Sequence, residues 1–290
     1  MSGRVLTVPN TYEDILTQLA PLVTDSEAII GAAVVGSRAG AEPDESADLN
    51  LLLFTDSPDE LLSSNAWLSS LGRPWVAAVD RSFPELPVVR IMLDNAVQLT
   101  LTVLAPGAVE TLSAPAKRVL TDMVGGPLTV LKAGGPVPDQ LASLGGESPA
   151  GRSGRPSQEE FAELVSRFWV DVPRAVRWLK RGEIWSARRL IDGPMKDAMV
   201  QVQAWITKSR RGGDVDTYWD GRHLEDWAGE RFVAHLSAAM APLDPAGAKR
   251  ALVETMDQFR ILGIQAAQCW ALDYPEATDR RITVWVRTYL

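Results

Sequence analysis

The sequence has 290 residues, of which 46% are hydrophobic and 23% are charged, and its net charge at pH 7 is −8. These proportions are typical of a globular protein with a sizeable core, and the acidic balance argues against a general nucleic-acid binder. The single cysteine, Cys269, excludes an intrachain disulfide and a thiolate metal cluster. Two histidines argue against a histidine-based zinc site.

The N-terminal segment lacks the long apolar core and small-residue cleavage site of a signal peptide. No stretch reaches the roughly 18 apolar residues that a membrane span needs. We therefore expect a cytoplasmic protein without membrane or nucleic-acid partners. The sequence leaves open whether it forms a homo- or hetero-oligomer.

In the first half of the chain, short helices alternate with apolar strands. Helical spacing of apolar residues predicts helices over 12–22 and 59–71. Strands are predicted for AIIGAAVVGS, for DLNLLLF, and for residues 74–80, 87–93 and 97–104. Asp94-Asn95 separates the last two strands and suits a hairpin turn. The first half should therefore contain a mixed sheet with few helices.

Residues 143–158 are rich in Gly, Ser and Pro, which predicts a linker or a mobile loop. Beyond them, long helical periodicity covers 158–181, 183–208, 224–240 and 246–272. The expected breaks are at Pro173, Gly182, Gly212-Gly213 and Pro242. The predicted fold class is α+β, with a mixed sheet and flanking helices in residues 1–142 and a helical bundle in residues 159–290.

The segment VVGSRAGAEPDESADLNLLLF contains a strand, a Gly-Ser turn and a second strand that opens at Asp48, with ten residues between Ser37 and Asp48. A glycine at such a turn lets the backbone approach a phosphate and donate N–H groups to it. Side chains two residues apart on a strand share one face. This segment resembles the nucleotidyltransferase signature, in which an Asp-x-Asp pair follows a Gly-Ser turn.

More specifically, the chain resembles the aminoglycoside 6-adenylyltransferase (streptomycin adenylyltransferase) family. The segments that carry the resemblance are GSRAG, VQLTLTVLAP, FWVDVPRAVRWLKRGEI, MKDAMVQVQAWI, YWDGRHLEDW and LDYP. The resemblance implies a nucleotidyltransferase-like domain over 1–142, followed by a helical domain over 159–290. It also implies a reaction in which three carboxylates hold two Mg²⁺ ions that stabilise in-line attack on the α-phosphate.

Two of the three carboxylates that the resemblance implies are missing. The second strand reads Asp48-Leu49-Asn50, and the third carboxylate position matches Thr100 in a stretch that has no Asp or Glu from 96 to 108. An amide and a hydroxyl do not supply the negative charge that holds paired Mg²⁺. We therefore expect no metal site and no cofactor, with Mg-ATP needed only if adenylyl transfer persists.

The turn still offers an anion cradle of Gly36, Ser37 and Arg38, combining backbone donors, a hydroxyl and a guanidinium. An ordinary tight turn beside a surface arginine is the alternative interpretation. Asp48 suits a general base that takes a proton from a substrate amine or hydroxyl. The alternative interpretation is that Asp48 is a remnant of the family site without a catalytic role, held by Arg38 in an ion pair.

Positive charge recurs in the second half of the chain. Arg174, Arg177, Arg181 and Arg188 repeat at helical spacing, which predicts one basic face, although such a face is often merely solvated. In the resemblance, Arg177 and Arg222 match family lysines that serve phosphates, and Glu183 matches a further family position. Surface pairs with Asp192, Lys196 and Asp197 could neutralise part of this charge.

Three functions stay open. The first is a metal-independent enzyme of specialised metabolism that eliminates a phosphate- or sulfate-type leaving group or closes a ring in an anionic or amine-bearing small molecule. The second is residual adenylyl transfer from ATP to an aminocyclitol hydroxyl, in antibiotic biosynthesis or resistance. The third is a non-catalytic binding or scaffold protein. The candidate catalytic residues are Asp48, Ser37 and Arg38, and the candidate binding residues are Gly36, Asn50, Thr100, Arg177, Glu183 and Arg222.

Overall fold

The computed structural model describes residues 12–290 apart from several gaps, and it divides the chain into two compact units. The gaps are 40–47, 64–65, 94–96, 125–127, 146–154, 214, 216, 218–220, 222 and 241, and the side chains of residues 12, 13, 37, 38, 118, 122 and 145 are also outside the description. We call Met1–Pro149 the sheet unit and Ala150–Leu290 the helical unit. The division lies within the predicted 143–158 segment.

The sheet unit is built on six strands in the order β3-β4-β5-β2-β1-β6. The strands are β1 (Gly31–Val35), β2 (Leu49–Phe54), β3 (Pro74–Asp80), β4 (Val88–Leu93), β5 (Gln98–Leu104) and β6 (Leu128–Lys132). β2 and β5 are parallel, whereas the other neighbours are antiparallel. This mixed sheet confirms the predicted class, and all five predicted strands are present.

Helices cover both faces of this sheet. They are α1 (Tyr12–Thr24), α2 (Pro58–Ser63), α3 (Ala108–Thr111), α4 (Ala114–Val124) and α5 (Val137–Gly145), with short 3-10 turns at Gly36–Ala39 and Ala66–Leu68. Alternate residues of β2 enter different cores: Leu51 and Leu53 pack on one face, Leu52 and Phe54 on the other. Strand periodicity thus explains the continuous apolar run LNLLLF, which is buried on both sides.

Three expectations for this unit were wrong. Five described helices contradict the prediction of few helices. The helix predicted over 59–71 ends as α-helix at Ser63. The edge strand β6 was missed, because LTVLK is short and its residues are exposed or only half-buried, so no hydrophobic period marks it.

The helical unit contains seven described helices, which confirms the predicted bundle. They are α6 (Gln158–Lys180), α7 (Ile184–Asp192), α8 (Pro194–Arg211), α9 (Leu224–Trp227), α10 (Glu230–Ala238), α11 (Pro245–Trp270) and α12 (Glu276–Tyr289). α6 begins with a capping box in which Ser157 and Glu160 satisfy each other's backbone N–H groups. Phe168 of α6 stacks on Phe259 of α11 with ring centroids 3.5 Å apart. No helix in the described part of the chain is long and apolar enough to cross a membrane.

The helix boundaries depart from the sequence prediction in four places. Pro173 lies inside α6 without ending it, because the buried faces on either side of it keep the helix packed in the core. The segment 183–208 is divided at Gly193, where Pro194 starts a new helix at a position that needs no backbone donor. The segment 224–240 is divided at Gly229, and α12 was not predicted.

Candidate functional site

Four of the predicted site residues lie at one edge of the sheet, where β1 ends and β2 and β5 begin. Val35 at the end of β1 pairs with Asn50, and Asn50 pairs in turn with Thr100 on β5. Gly36 follows β1 and Asp48 precedes β2. We call this group of Gly36, Asp48, Asn50 and Thr100 the Asp48 edge.

Gly36 is required by both backbone conformation and space. Its φ is +78°, in the left-handed region that L side chains rarely adopt, and a Cβ there would lie 3.3 Å from Nδ2 of Asn50. The backbone of Ser37 and Arg38 continues into the 3-10 turn Gly36–Ala39. Their side chains lie outside the description, so the anion cradle that they would complete stays a prediction.

Asp48 has a partner that the sequence analysis missed. Its Oδ2 accepts a hydrogen bond from Nε2 of Gln98 over 2.5 Å. Gln98 opens β5 and stands two residues before Thr100, so strand alternation places the two side chains on one face. Because alternate residues of a strand share a face, the position two residues before Thr100 was the sequence signal that could have identified Gln98.

The donors at the Asp48 edge do not fit a two-ion magnesium site. They comprise one carboxylate already bound by an amide, the Asn50 amide, and the Thr100 hydroxyl on a side chain that is 6% exposed. Within the described ranges, no group of three His, Cys, Asp or Glu residues could hold a metal ion. Mg²⁺ gives up its waters mainly to carboxylates and phosphates, and this set offers one carboxylate.

The candidate residues of the helical unit are exposed where the structure describes them. Arg177 lies in the last turn of α6, and Glu183 precedes α7, where its carboxylate accepts from Nε of Arg181 at 2.9 Å. Arg222 lies outside the described residues. Glu183 therefore has a local structural role as an ion-pair partner.

The single basic face predicted for the four arginines is wrong. α6 ends at Lys180 and Arg188 lies on α7, so the helical spacing does not continue from Arg174 to Arg188. Arg174 pairs with Asp171 at 3.6 Å and stacks on Trp178, while Arg188 pairs with Asp192 at 2.6 Å. Local carboxylates thus neutralise much of this charge.

Lys196 is buried, contrary to the expectation of a surface pair. It is 3% exposed, and its Nζ donates to Oγ1 of Thr255 on α11. Burial lowers the pKa of Lys196 to about 8, and the Asp192 carboxylate offsets part of that effect. Burial also raises the pKa of Asp192, against the pull of Arg188. The break at Gly193 turns this first turn of α8 inward, which helical periodicity through 183–208 could not reveal.

Comparison with known proteins identifies the helical unit. Residues 150–289 match the family model described as streptomycin adenylyltransferase. No curated protein matches the chain. The resemblance noted in the sequence is therefore confirmed over residues 150–289, the part of the chain that the family model covers.

Two solved structures are similar to the whole chain at low identity. An aminoglycoside 6-adenyltransferase from Bacillus subtilis is 15% identical, with 96% of each chain covered and a TM-score of 0.44. A nucleotidyltransferase-like protein from Exiguobacterium sibiricum is 11% identical, with 89% of this chain and 77% of that chain covered and a TM-score of 0.40.

Proposed function

Because residues 150–289 match the streptomycin adenylyltransferase family model, we propose that this protein binds an aminocyclitol-like acceptor and transfers AMP from ATP to one of its hydroxyls. The rate is expected to be far below that of a relative with three carboxylates. In this proposal the acceptor is an amine-bearing small molecule, and ATP is the second substrate.

The arrangement of the Asp48 edge carries the proposal. The end of β1 and the starts of β2 and β5 bring Gly36, Asp48, Asn50 and Thr100 to one end of the strands, which is the arrangement that the resemblance to the nucleotidyltransferase signature implies. In this proposal the backbone there accommodates a phosphate and an acceptor, with one carboxylate in place of three. Losing a single preorganised stabilising group in an active site costs about 10²- to 10³-fold in rate, and two are lost here.

Asp48 is the acidic group that this proposal relies on. Gln98 donates to its Oδ2 and fixes the orientation of the carboxylate. The other oxygen, Oδ1, then suits the acceptance of a proton or a hydrogen bond from an acceptor hydroxyl or amine. Gly36 lets the backbone pass close to Asn50 without a side chain between them.

AMP transfer tests the proposal directly. The purified chain would be incubated with ATP, Mg²⁺ and streptomycin, or another aminocyclitol, and the adenylylated product would be measured by mass spectrometry. We expect slow product formation that Asp48→Asn abolishes. Asp56→Asn is the matched control, because Asp56 is an exposed aspartate directly after the same strand. Absence of adenylylated product from every acceptor, with ATP in excess, would refute the transferase.

A second candidate is a metal-independent enzyme in which Asp48 acts as a base on an anionic or amine-bearing substrate. The hydrogen bond from the neutral Gln98, together with neutral Asn50 and Thr100, supports it, since Mg²⁺ prefers sites with more than the one carboxylate found here. Isothermal titration with ATP, with and without Mg²⁺, separates the two. Binding that requires Mg²⁺ supports transfer, whereas Mg²⁺-independent binding without AMP transfer supports the second candidate.

A further inference from the structure

The helical unit contains a pocket of about 680 Å³ between α8, α9, α10 and α11. Small-molecule sites commonly occupy about 300–1,000 Å³, so the pocket has the volume of a ligand site. Its apolar wall includes Trp227, which is 3% exposed, and Phe232. Four glutamines also line it, which is an unusual density of neutral hydrogen-bonding groups: Gln203, Gln258, Gln265 and Gln268.

A hydrogen-bonded relay fixes the orientation of His235 in this pocket. Gln258 donates from Nε2 to Oε1 of Glu254, one turn earlier on α11, at 2.8 Å. Its Oε1 therefore has to accept, and its partner is Nδ1 of His235. Nδ1 thus carries a proton, and in the neutral ring Nε2 is the acceptor. The relay resembles the arrangement around a histidine that acts as a base: the Glu254 carboxylate orients Gln258, and Gln258 sets the tautomer of His235.

Among the described residues that line the pocket, positive charge predominates. Arg210, Arg211 and Arg231 face a single described carboxylate, that of Glu230. Arg211 uses one of its donors on the backbone carbonyl of Asp226 at 3.4 Å, and a guanidinium has five. Guanidinium groups bind the oxygens of phosphates and carboxylates in a planar fork. The pocket therefore combines an anion-binding side, neutral amides and one oriented acceptor.

We propose that this pocket binds a hydroxylated organic anion of the sugar-phosphate or sugar-acid class. The arginines hold the oxyanion, a ligand hydroxyl donates to Nε2 of His235, and Gln265 and Gln268 bind the remaining hydroxyls. This site goes beyond the proposed transferase function, because an aminocyclitol acceptor is cationic and would be repelled by three arginines. The lining residues all belong to the helical unit.

Calorimetric titration of the full chain tests the site with four probes: glucose 6-phosphate, gluconate, glucose and inorganic phosphate. We expect glucose 6-phosphate or gluconate to bind at least about tenfold more tightly than glucose or inorganic phosphate, since only they present both groups. The comparison of the first two probes distinguishes a phosphate from a carboxylate. Failure of both to bind would overturn the proposal, and so would binding of glucose with equal affinity.

Variants then locate the binding. Arg210→Gln combined with Arg211→Gln, and separately His235→Phe, should each weaken binding of the preferred probe by about tenfold or more. Arg167→Gln is the matched control, because Arg167 is an exposed arginine of the same unit that pairs with Glu163. Asp48→Asn should leave this binding unchanged even though it abolishes the proposed transfer. Unchanged affinity in both pocket variants would place the probe elsewhere and refute the site.

The tautomer of His235 and its response to a bound anion can be checked without altering the relay residues. The chain has two histidines, so ring ¹⁵N resonances are assigned by comparison with His223→Gln. We expect the neutral ring of His235 to carry its proton on Nδ1, and added glucose 6-phosphate or gluconate to shift its Nε2 resonance. A proton on Nε2, or no shift at saturating probe, would contradict the assigned acceptor.

Discussion

Asn50 on β2 and Thr100 on β5 are register partners across the parallel strand pair of the sheet. Asp48 lies two residues before Asn50, and its carboxylate is held by Gln98, two residues before Thr100. The same two-residue spacing on neighbouring strands thus brings one charged side chain, Asp48, and three neutral polar side chains to one edge of the sheet. The strand register brings these polar side chains together, and Asp48 is the one carboxylate among the four.

Adding carboxylates at the Asp48 edge should make the affinity for ATP depend on magnesium. The double variant Asn50→Asp and Thr100→Asp places two further carboxylates beside Asp48, which is the kind of donor set that Mg²⁺ prefers. We expect Mg²⁺ to increase ATP affinity by about tenfold or more in this variant, and to raise its melting temperature. Isothermal titration and thermal melts with and without Mg²⁺ measure both effects.

The control for this experiment carries the same two substitutions together with Asp48→Asn. It keeps the added charge at 50 and 100 but removes the native carboxylate, so the magnesium response should fall again. An equal response in the double and triple variants would show that Asp48 does not belong to the ion-binding geometry. No response in either would show that these positions do not converge as their register suggests.

Gly36 should be intolerant of a side chain for two separable reasons. Gly36→Ala places an L residue at φ +78° and a Cβ at 3.3 Å from Nδ2 of Asn50. The conformational part costs about 1–2 kcal/mol, and the contact adds to it. Gly182→Ala is the matched control, because its φ is +74° with nothing within 4 Å of the added Cβ. We expect urea unfolding to show a larger loss for Gly36→Ala, and equal losses would remove the contact from the explanation.

The sequence predicted what depends on local periodicity. The strand predicted over 74–80 matches Pro74–Asp80, and the helix predicted over 246–272 matches Pro245–Trp270 within two residues at either end. The segment 183–208 was predicted as one helix, because its apolar residues keep helical spacing on both sides of Gly193. The Gly193-Pro194 pair, which commonly breaks a helix, was the sequence signal that could have placed the break. The burial of Lys196 follows from that break and was missed for the same reason.

The residues of the candidate site that lie close together in the sequence could be predicted. Those brought together only by the pairing of distant strands could not. Gly36, Asp48 and Asn50 lie in one motif, so their spacing alone indicated a common place. Gln98 comes from a distant strand, and its contact with Asp48 requires the β2–β5 register, which no local pattern contains. The His235 relay likewise joins α10 to α11 through side chains of ordinary polar type.

Burial of Lys196 should make the protein more stable as the pH rises from about 8 to 10.5. Its pKa is lowered to about 8 in the folded state from 10.5 in the unfolded chain, so the unfolded state binds more protons within that window. The penalty of burying the charge is fully present below pH 8 and is relieved above it. It amounts to roughly 3 kcal/mol at most, at 1.36 kcal/mol for each pH unit.

Urea unfolding at pH 7.5 and 9.5 measures this effect when compared with Lys196→Met. The variant should lack the gain, and Thr255 keeps its own hydrogen bond to the carbonyl of Ala251 when the lysine is lost. Lys249→Met, at an exposed lysine of α11, should keep the gain. The raised pKa of Asp192 acts in the acid range and leaves this window unaffected. Equal pH dependence in the Lys196 variant and the native chain would contradict a buried ammonium.

The ion pair of Arg260 with Asp279 should be the strongest electrostatic contact between α11 and α12. Nε of Arg260 donates to Oδ2 of Asp279 at 2.7 Å and Nη2 donates to Oδ1 at 2.7 Å, which is a bidentate geometry, and Asp279 is 4% exposed. The carboxylate also accepts from the hydroxyl of Tyr274 at 3.1 Å. These contacts raise the pKa of Arg260, led by the hydrogen bonds to Asp279. Removing one partner of such a buried pair costs about 3–5 kcal/mol, because the other charge stays behind.

Asp279→Asn should therefore destabilise the helical unit by an amount near the lower end of that range, since the Arg260 side chain is 26% exposed and Asp257 still pairs with it at 2.8 Å. Glu276 lies three residues before Asp279 and pairs with Arg280, and both of these side chains are about three-quarters exposed. Glu276→Gln removes this surface pair and should cost about 0–1 kcal/mol. Tryptophan fluorescence during urea unfolding reports chiefly on this unit, because eight of the ten tryptophans follow residue 150. Similar losses in the two variants would mean that the bidentate pair contributes no more than a surface contact, and that apolar packing alone holds α12 on the bundle.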